Sequence, residues 1–227
     1  MIDFVCVLFN GQDTSLPDYS RGAGYSTEWV DRLYRGIYRQ MPIKDWSLIC
    51  LTDQRYKFKE PIKQISLDRP GLAWGSIMEA FRPDLTSRRR MIVGLDTLFV
   101  GSLADILSYD GDCGLLRDPY HPNTICNGIG IFSPSMCVEL WDEWTRNFST
   151  WKKRSVYNGQ LSEMAFLRAV VGDTCNLLDQ IYPEQIQSYK VHWKPEKMSR
   201  ERARIVYFHG RPKMHEILDQ ELLKFWG

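Results

Sequence analysis

The chain has 227 residues, 44% of them apolar, which is enough to bury the core of one large α/β domain. Lys and Arg number 29 against 28 Asp and Glu, a formal net charge of +1, so no overall field favours nucleic acid or an anionic membrane. The six cysteines include no C-x-x-C pair, no apolar run approaches the roughly 18 residues of a bilayer span, and the N-terminus MIDFVCVLFNG has an acid where a secretory signal needs positive charge. These features predict reduced, structural thiols in a soluble, cytoplasmic chain with no transmembrane segment.

Residues 4–9 form a continuous apolar run closed by Asn10-Gly11, the pattern of a strand buried on both faces in a parallel sheet. After a polar, Gly-rich loop, Ser26 and Thr27 offer N-caps to a helix whose Trp29, Leu33, Ile37 and Met41 recur every four residues until Pro42 stops it. Residues 46–51 make a second apolar strand ending in Thr52-Asp53, and strand, helix and strand together read as a right-handed βαβ unit. Residues 62–67 alternate as a third, less buried strand, and residues 74–81 pack as a short helix before Pro83.

The triplet Arg88, Arg89 and Arg90 is the densest basic patch and reads as a solvated turn rather than a binding site. Residues 91–93 are strand four, breaking at Gly94-Leu95-Asp96, with a short strand at 98–100 and a helical turn at 103–107. Two further short strands follow at 113–116 and 129–132, the second introduced by Asn127-Gly128. Ser133-Pro134 heads a helix whose Cys137, Leu140, Trp141, Trp144 and Phe148 line one stripe. Another helix spans about 160–171, stopped by Gly172, and residues 190–204, rich in Lys and Arg around Pro195, read as a flexible connection. A last strand, 205–208, ends in His209-Gly210.

Four strands therefore end in polar residues: Asn10-Gly11, Thr52-Asp53, Asp96 and His209-Gly210. In open α/β sheets ligands bind beyond the carboxyl ends of strands, so these residues are the candidates for one site. Asp96 and His209 supply an oxygen and a nitrogen able to hold a divalent cation such as Mn²⁺ with positions left for phosphate oxygens, and Lys213 adds positive charge beside them. That set suits a nucleotide diphosphate, although an acid at a strand end also serves simply to cap a turn, and a lone histidine often just packs. Other chemistries lack their spacing: there is no G-x-x-x-x-G-K-[ST] loop, no G-x-G-x-x-G after the first strand and no G-x-S-x-G elbow. A phospho-aspartyl phosphatase needs a second acid two residues beyond the first, where this chain has Leu98.

The run IVGLDTLFVGSLADIL resembles the metal-binding segment of nucleotide-diphospho-sugar glycosyltransferases of the GT-A fold, in which an apolar strand ends in Asp-x-Asp-Thr. WVDRLYRGIYRQMP followed by LICLTD, GLAWGSIMEAFRPDL, LLRDPYHPNTICNGIGIF and IVYFHGRPKMHEI resemble further blocks of that family in the same order, the last its His-Gly-x-x-Lys-Pro closing strand. The resemblance implies one GT-A-like domain over residues 1–227: a Rossmann-like, mixed and mostly parallel central sheet flanked by helices. It implies a metal-dependent hexosyl- or pentosyltransferase acting on a nucleotide-diphosphate sugar, with uridine the favoured base. The acceptor is left open among a glycan, lipid, protein, small molecule or modified nucleic acid base.

Carried over residue by residue, Asp96 and His209 would bind Mn²⁺ or Mg²⁺, and Lys213 would assist at the diphosphate. Phe9, Asn10, Gly11 and Asp53 would border the base and ribose, Asn127 and Gly128 would lie near the sugar, and Glu163 ahead of Asp118 would meet the acceptor or take its proton. Tyr120 and Trp193, in loops, are the aromatic acceptor contacts. Three departures stand out: Gly94 replaces the first acid of Asp-x-Asp, Ser76 stands where relatives often carry Lys, and Met214 follows Lys213 in place of Pro. They give weight to a second reading, a degenerate sugar-nucleotide binder, while DTSLPDYSRG makes a poor version of the basic loop of a nucleotidyltransferase.

Overall fold

The computed structural model describes residues 1–9, 24–70, 72–157 and 160–227, so Asn10 and Gly11 lie outside the described residues. The strands are β1 (Ile2–Leu8), β2 (Leu48–Thr52), β3 (Lys63–Ser66), β4 (Arg89–Val93), β5 (Thr97–Phe99), β6 (Cys113–Arg117), β7 (Ile125–Phe132), β8 (Val156–Tyr157), β9 (Gln160–Leu161), β10 (Asn176–Leu177), β11 (Ile186–Ser188) and β12 (Ile205–Tyr207). The α-helices are α1 (Thr27–Gln40), α2 (Ala104–Leu107), α3 (Pro134–Arg146), α4 (Phe148–Arg154), α5 (Glu163–Val171), α6 (Leu178–Ile181) and α7 (Gln220–Leu223), with a 3₁₀ helix at Ala73–Phe81.

Seven strands build the central sheet in the order β10-β6-β7-β4-β1-β2-β3. Only β7 runs against its neighbours; β1 is parallel to both β2 and β4, and β3 to β2. The parallel strands are apolar on both faces because both faces are covered. Phe4 and Leu48 pack with Leu33 and Ile37 of α1, while Val5 and Ile49 pack with Met78, Phe81 and Trp144 on the opposite side. The chain steps outward from β1 to β2 and β3 on one side and resumes at β4 on the other. The β1/β4 boundary is therefore a topological switch point, where the loops leaving adjacent strands diverge and open a crevice.

Local chemistry sets the boundaries. Ser133 Oγ accepts from Met136 N at 3.1 Å with Pro134 in the first turn, whereas Ser26, at the N-cap of α1, makes no side-chain cap bond. The stripe helix ends at Arg146, and Phe148 opens α4, because Asn147 breaks the run and turns its amide onto Glu143 at 3.0 Å. β7 starts at Ile125, so Asn127 and Gly128 lie within a strand rather than ahead of it. Residues 160–161 are β9, and α5 begins only at Glu163.

Two expectations are corrected more sharply. Residues 190–204 are not a loose connection: Tyr189–Trp193 forms a π turn, and Trp193 is 2% exposed, its indole N–H donating to Asp219 at 2.8 Å. Trp193 is thus core, not an acceptor contact. Nor are the three arginines a solvated turn. Arg88 pairs with Asp45, Arg89 donates to the carbonyl of Asp110, and the guanidinium of Arg90, 1% exposed, donates to the carbonyls of Ala80 and Thr86. Among the described residues no helix is long and apolar enough to cross a membrane.

Candidate active site

A second, three-stranded sheet explains why the chain continues with apolar residues directly after Asp96. β5 pairs antiparallel with β12, which pairs in parallel with β11. The register sets Thr97 opposite Tyr207, so the next residues outward, Asp96 and Phe208, meet as well: Phe208 N donates to the Asp96 carbonyl at 2.9 Å. His209 follows at once. Two residues more than a hundred positions apart are brought together by three rungs of one small ladder, at the carboxyl end of β4 beside the switch point.

Lys213 completes the group. Its ammonium forms an ion pair with Asp96 Oδ2, the two side chains being 11% and 14% exposed, and donates to the Tyr25 hydroxyl at 2.7 Å. Burial and the adjacent Asp96 carboxylate both push the Tyr25 phenol well above its usual range, so it stays protonated. The Lys213 backbone N–H donates to Glu216 at 2.7 Å, which fixes the stem of the side chain. Gly94 has a steric reason to be glycine: a Cβ there would stand 2.8 Å from Asp96 Oδ1. The missing first acid and the pose of the remaining one are therefore a single feature.

His209 is held by Ser188 at the end of β11, with Nε2 and Oγ 2.7 Å apart, while Ser188 Oγ also accepts from Val191 N at 3.3 Å. Ser188 is fully buried, so its hydroxyl proton needs an acceptor, and Nε2 is the one the structure offers. The imidazole proton then sits on Nδ1. Burial, followed by the nearby Lys190 ammonium, lowers the His209 pKa to about 4, against the opposing pull of Asp96 and Asp118, so the ring is neutral at pH 7. Tyr120 stands edge-on to the ring with centroids 5.2 Å apart, and Lys190 Nζ lies 5.9 Å from the Tyr120 centroid.

These residues fit a divalent cation poorly. Among the described residues one carboxylate, Asp96, stands beside His209 without an arginine partner, and the Lys213 ammonium is already paired with it. Hard cations bind through several anionic or carbonyl oxygens. Among the described residues no group of three or more His, Cys, Asp or Glu could hold a metal ion.

The other expected residues divide. Asp118 accepts from Tyr120 N at 2.8 Å, His121 N at 3.1 Å and Arg168 at 2.7 Å, so both its oxygens hold the turn after β6. Gly128 makes room for the Tyr207 ring, 2.8 Å from where a Cβ would sit, and Asn127 Oδ1 is buried with no hydrogen-bond partner. Ser76 is fully buried and its hydroxyl is likewise unpartnered. Asp53 accepts from the Tyr56 hydroxyl at 3.1 Å, and Phe9 packs against the core beside β1. Glu163, 9% exposed at the start of α5, has its pKa pushed up to about 7 by burial, against the pull of its own N–H and that of Met164. A cavity of about 200 Å³ opens beside this group between Asp118, His192 and Tyr207. Sequence reasoning missed Tyr25, Ser188 and Lys190; they sit in stretches without periodicity, and only the β5–β12–β11 register gathers them.

Similar solved structures carry this arrangement of strands. The bifunctional glycosyltransferase WbbM superimposes with a TM-score of 0.68 at 9% identity, over 100% of this chain and 49% of that one. The chain has the GT-A glycosyltransferase fold. The galactosyltransferase LgtC, solved with donor and acceptor sugar analogues, matches with a TM-score of 0.62 at 10% identity, over 99% of this chain and 92% of its own. The glycosyltransferase GlyE of Streptococcus pneumoniae TIGR4 matches with a TM-score of 0.62 at 12% identity, over 99% and 58%. The chain thus spans about half of WbbM and less than two thirds of GlyE. No protein-family model and no curated protein matches the sequence. Within the GT-A fold, the Asp96 group occupies the carboxyl edge at which such sheets bind ligands.

Proposed function

We propose that the chain is a glycosyltransferase that moves a hexosyl or pentosyl group from a uridine diphosphate sugar to an acceptor hydroxyl. One observation carries the reading: Asp96 and the His209–Lys213 turn, from two segments more than a hundred residues apart, converge beside the switch point of a sheet with the GT-A fold. Lys213 and the Nδ1–H of His209 are donors suited to phosphate oxygens. Glu163, with a pKa near 7, is poised to take the acceptor's proton.

A thermal-shift screen of nucleoside diphosphates and their sugars tests this. Uridine diphosphate and one of its sugars are expected to raise the melting temperature, and His209→Ala and Lys213→Met to reduce that rise. No shift with any nucleotide would remove the reading. Gly94 favours the second reading, a sugar-nucleotide binder without transfer. Slow release of nucleotide diphosphate from the sugar nucleotide in the absence of acceptor separates the two, since a binder releases none.

A further inference from the structure

We propose that two lysine ammonium groups, Lys213 and Lys190, neutralise the donor's pyrophosphate in this chain in place of a divalent cation, with Asp96 as the residue that positions Lys213. The inference rests on the glycosyl-transfer reading and deepens it.

Three observations carry it. The Asp96 carboxylate has a committed geometry: Oδ2 is paired with Lys213, and Oδ1 leans over Gly94, where a Cβ would be only 2.8 Å away. With glycine at position 94, no second carboxylate among the described residues stands beside Asp96 at the end of β4. The second is the seat of His209: its Nε2 lies 2.7 Å from the buried Ser188 hydroxyl, and with that hydroxyl donating, Nδ1 presents an N–H suited to a phosphate oxygen. The third is Lys190. Its Nζ lies 3.5 Å from where a Cβ on Gly210 would stand, and Gly210 has φ +61, a left-handed turn that leaves this approach open. Lys190 therefore comes to the His209–Gly210 turn as a second cation of the site, and among the described residues no carboxylate pairs with it.

The charge balance is simple. Two ammonium groups bring two positive charges, of which Asp96 balances one until the phosphates compete for it, and the nearby Asp118 is already compensated by Arg168 at 2.7 Å. When the bond between the anomeric carbon and the β-phosphate oxygen breaks, the electron pair stays on that oxygen. The ammonium groups and the Nδ1–H of His209 then carry the growing charge. The acceptor oxygen forms the new bond to the anomeric carbon and loses its proton to a base, for which Glu163 is the candidate. Asp96 holds the lysine stem in place but also competes with the phosphates for its ammonium.

Calorimetric titration of uridine diphosphate into the full chain, once in excess EDTA and once in excess Mn²⁺, tests the inference. Dissociation constants are expected to agree within about threefold, and Lys190→Met and Lys213→Met each to weaken binding in EDTA by about tenfold or more. Lys213→Arg, which keeps the charge, should recover part of the loss, and circular dichroism on each variant excludes unfolding as the cause. Asp96→Asn keeps an acceptor for Lys213 while removing the competing charge, so binding in EDTA should tighten by a few fold. Binding that requires Mn²⁺, is lost in Asp96→Asn and is untouched in Lys190→Met would overturn the proposal while leaving the glycosyl-transfer reading intact. If no nucleoside diphosphate binds under either condition, both fall together.

Discussion

The two sheets of this molecule do different work with different means. In the seven-stranded sheet, β1 and β2 are apolar but for Asp3 and Thr52, and each of the two is held by neighbours on both sides and by packing on both faces. In the three-stranded sheet each strand has three residues, and its worth lies in what stands just past its ends: Asp96 before β5, His209 after β12, Ser188 at the close of β11. The larger sheet secures stability by area, and the smaller one secures position by register. Phe99 joins them, since it lies in β5 yet meets Phe4 of β1 edge-on at 5.9 Å.

That contrast predicts where substitutions act. Phe132→Ala, in the large sheet and edge-on to Phe81 at 4.8 Å, is expected to cost about 3–5 kcal/mol of unfolding free energy in urea titration, with nucleotide affinity of the folded fraction unchanged. A cost below about 1 kcal/mol would break the view that area in this sheet holds the fold.

Glu163 is the titrating exception on the scaffold side, and its effect depends on pH. Its native pKa of about 7 lies above the ordinary 4.5, so the folded state binds the proton more tightly than the unfolded chain. The stabilisation is complete below the unfolded value and is lost as pH rises through the native one. Glu163→Gln is therefore expected to match wild type at about pH 4 and to exceed it by on the order of 3 kcal/mol at about pH 8, read from urea midpoints. Parallel pH profiles for the two proteins would show that the carboxyl is not buried as described. Ser188→Ala should have the smallest effect on stability, about 1 kcal/mol, yet weaken nucleotide binding by about three- to tenfold because His209 loses its orienting partner. Equal and negligible changes in both would mean that the small sheet does not set the site.

Much of the large sheet was legible in the sequence because its signals are local. Continuous apolar runs gave β1 and β2, the fourfold spacing gave α1, and Ser133-Pro134 gave the start of α3. Asp96, His209 and Lys213 were legible as chemistry, and the family resemblance supplied their order. What escaped was β11 and the pairing that joins it to the short strands expected at 98–100 and 205–208. A three-residue strand has too few positions to show a period, and Lys190 opens a stretch whose charge and proline read as a loop. Tertiary packing overrode that composition, with Trp193 buried under the Arg200 guanidinium at 5.0 Å. Asn127-Gly128 misled in the other direction, since a dipeptide that favours turns was drawn into β7 where the Tyr207 ring requires the glycine.

The backbone hydrogen bond from Val100 N to Arg204 O, 2.8 Å long, closes a circuit. The segment between them leaves the small sheet and rejoins it at one point, and on the way it supplies β6, β7 and β10 to the central sheet and Ser188 to the His209 turn. Loosening that single rung would free β5 to slide on β12 and so alter the spacing of Asp96 and His209 without touching either side chain.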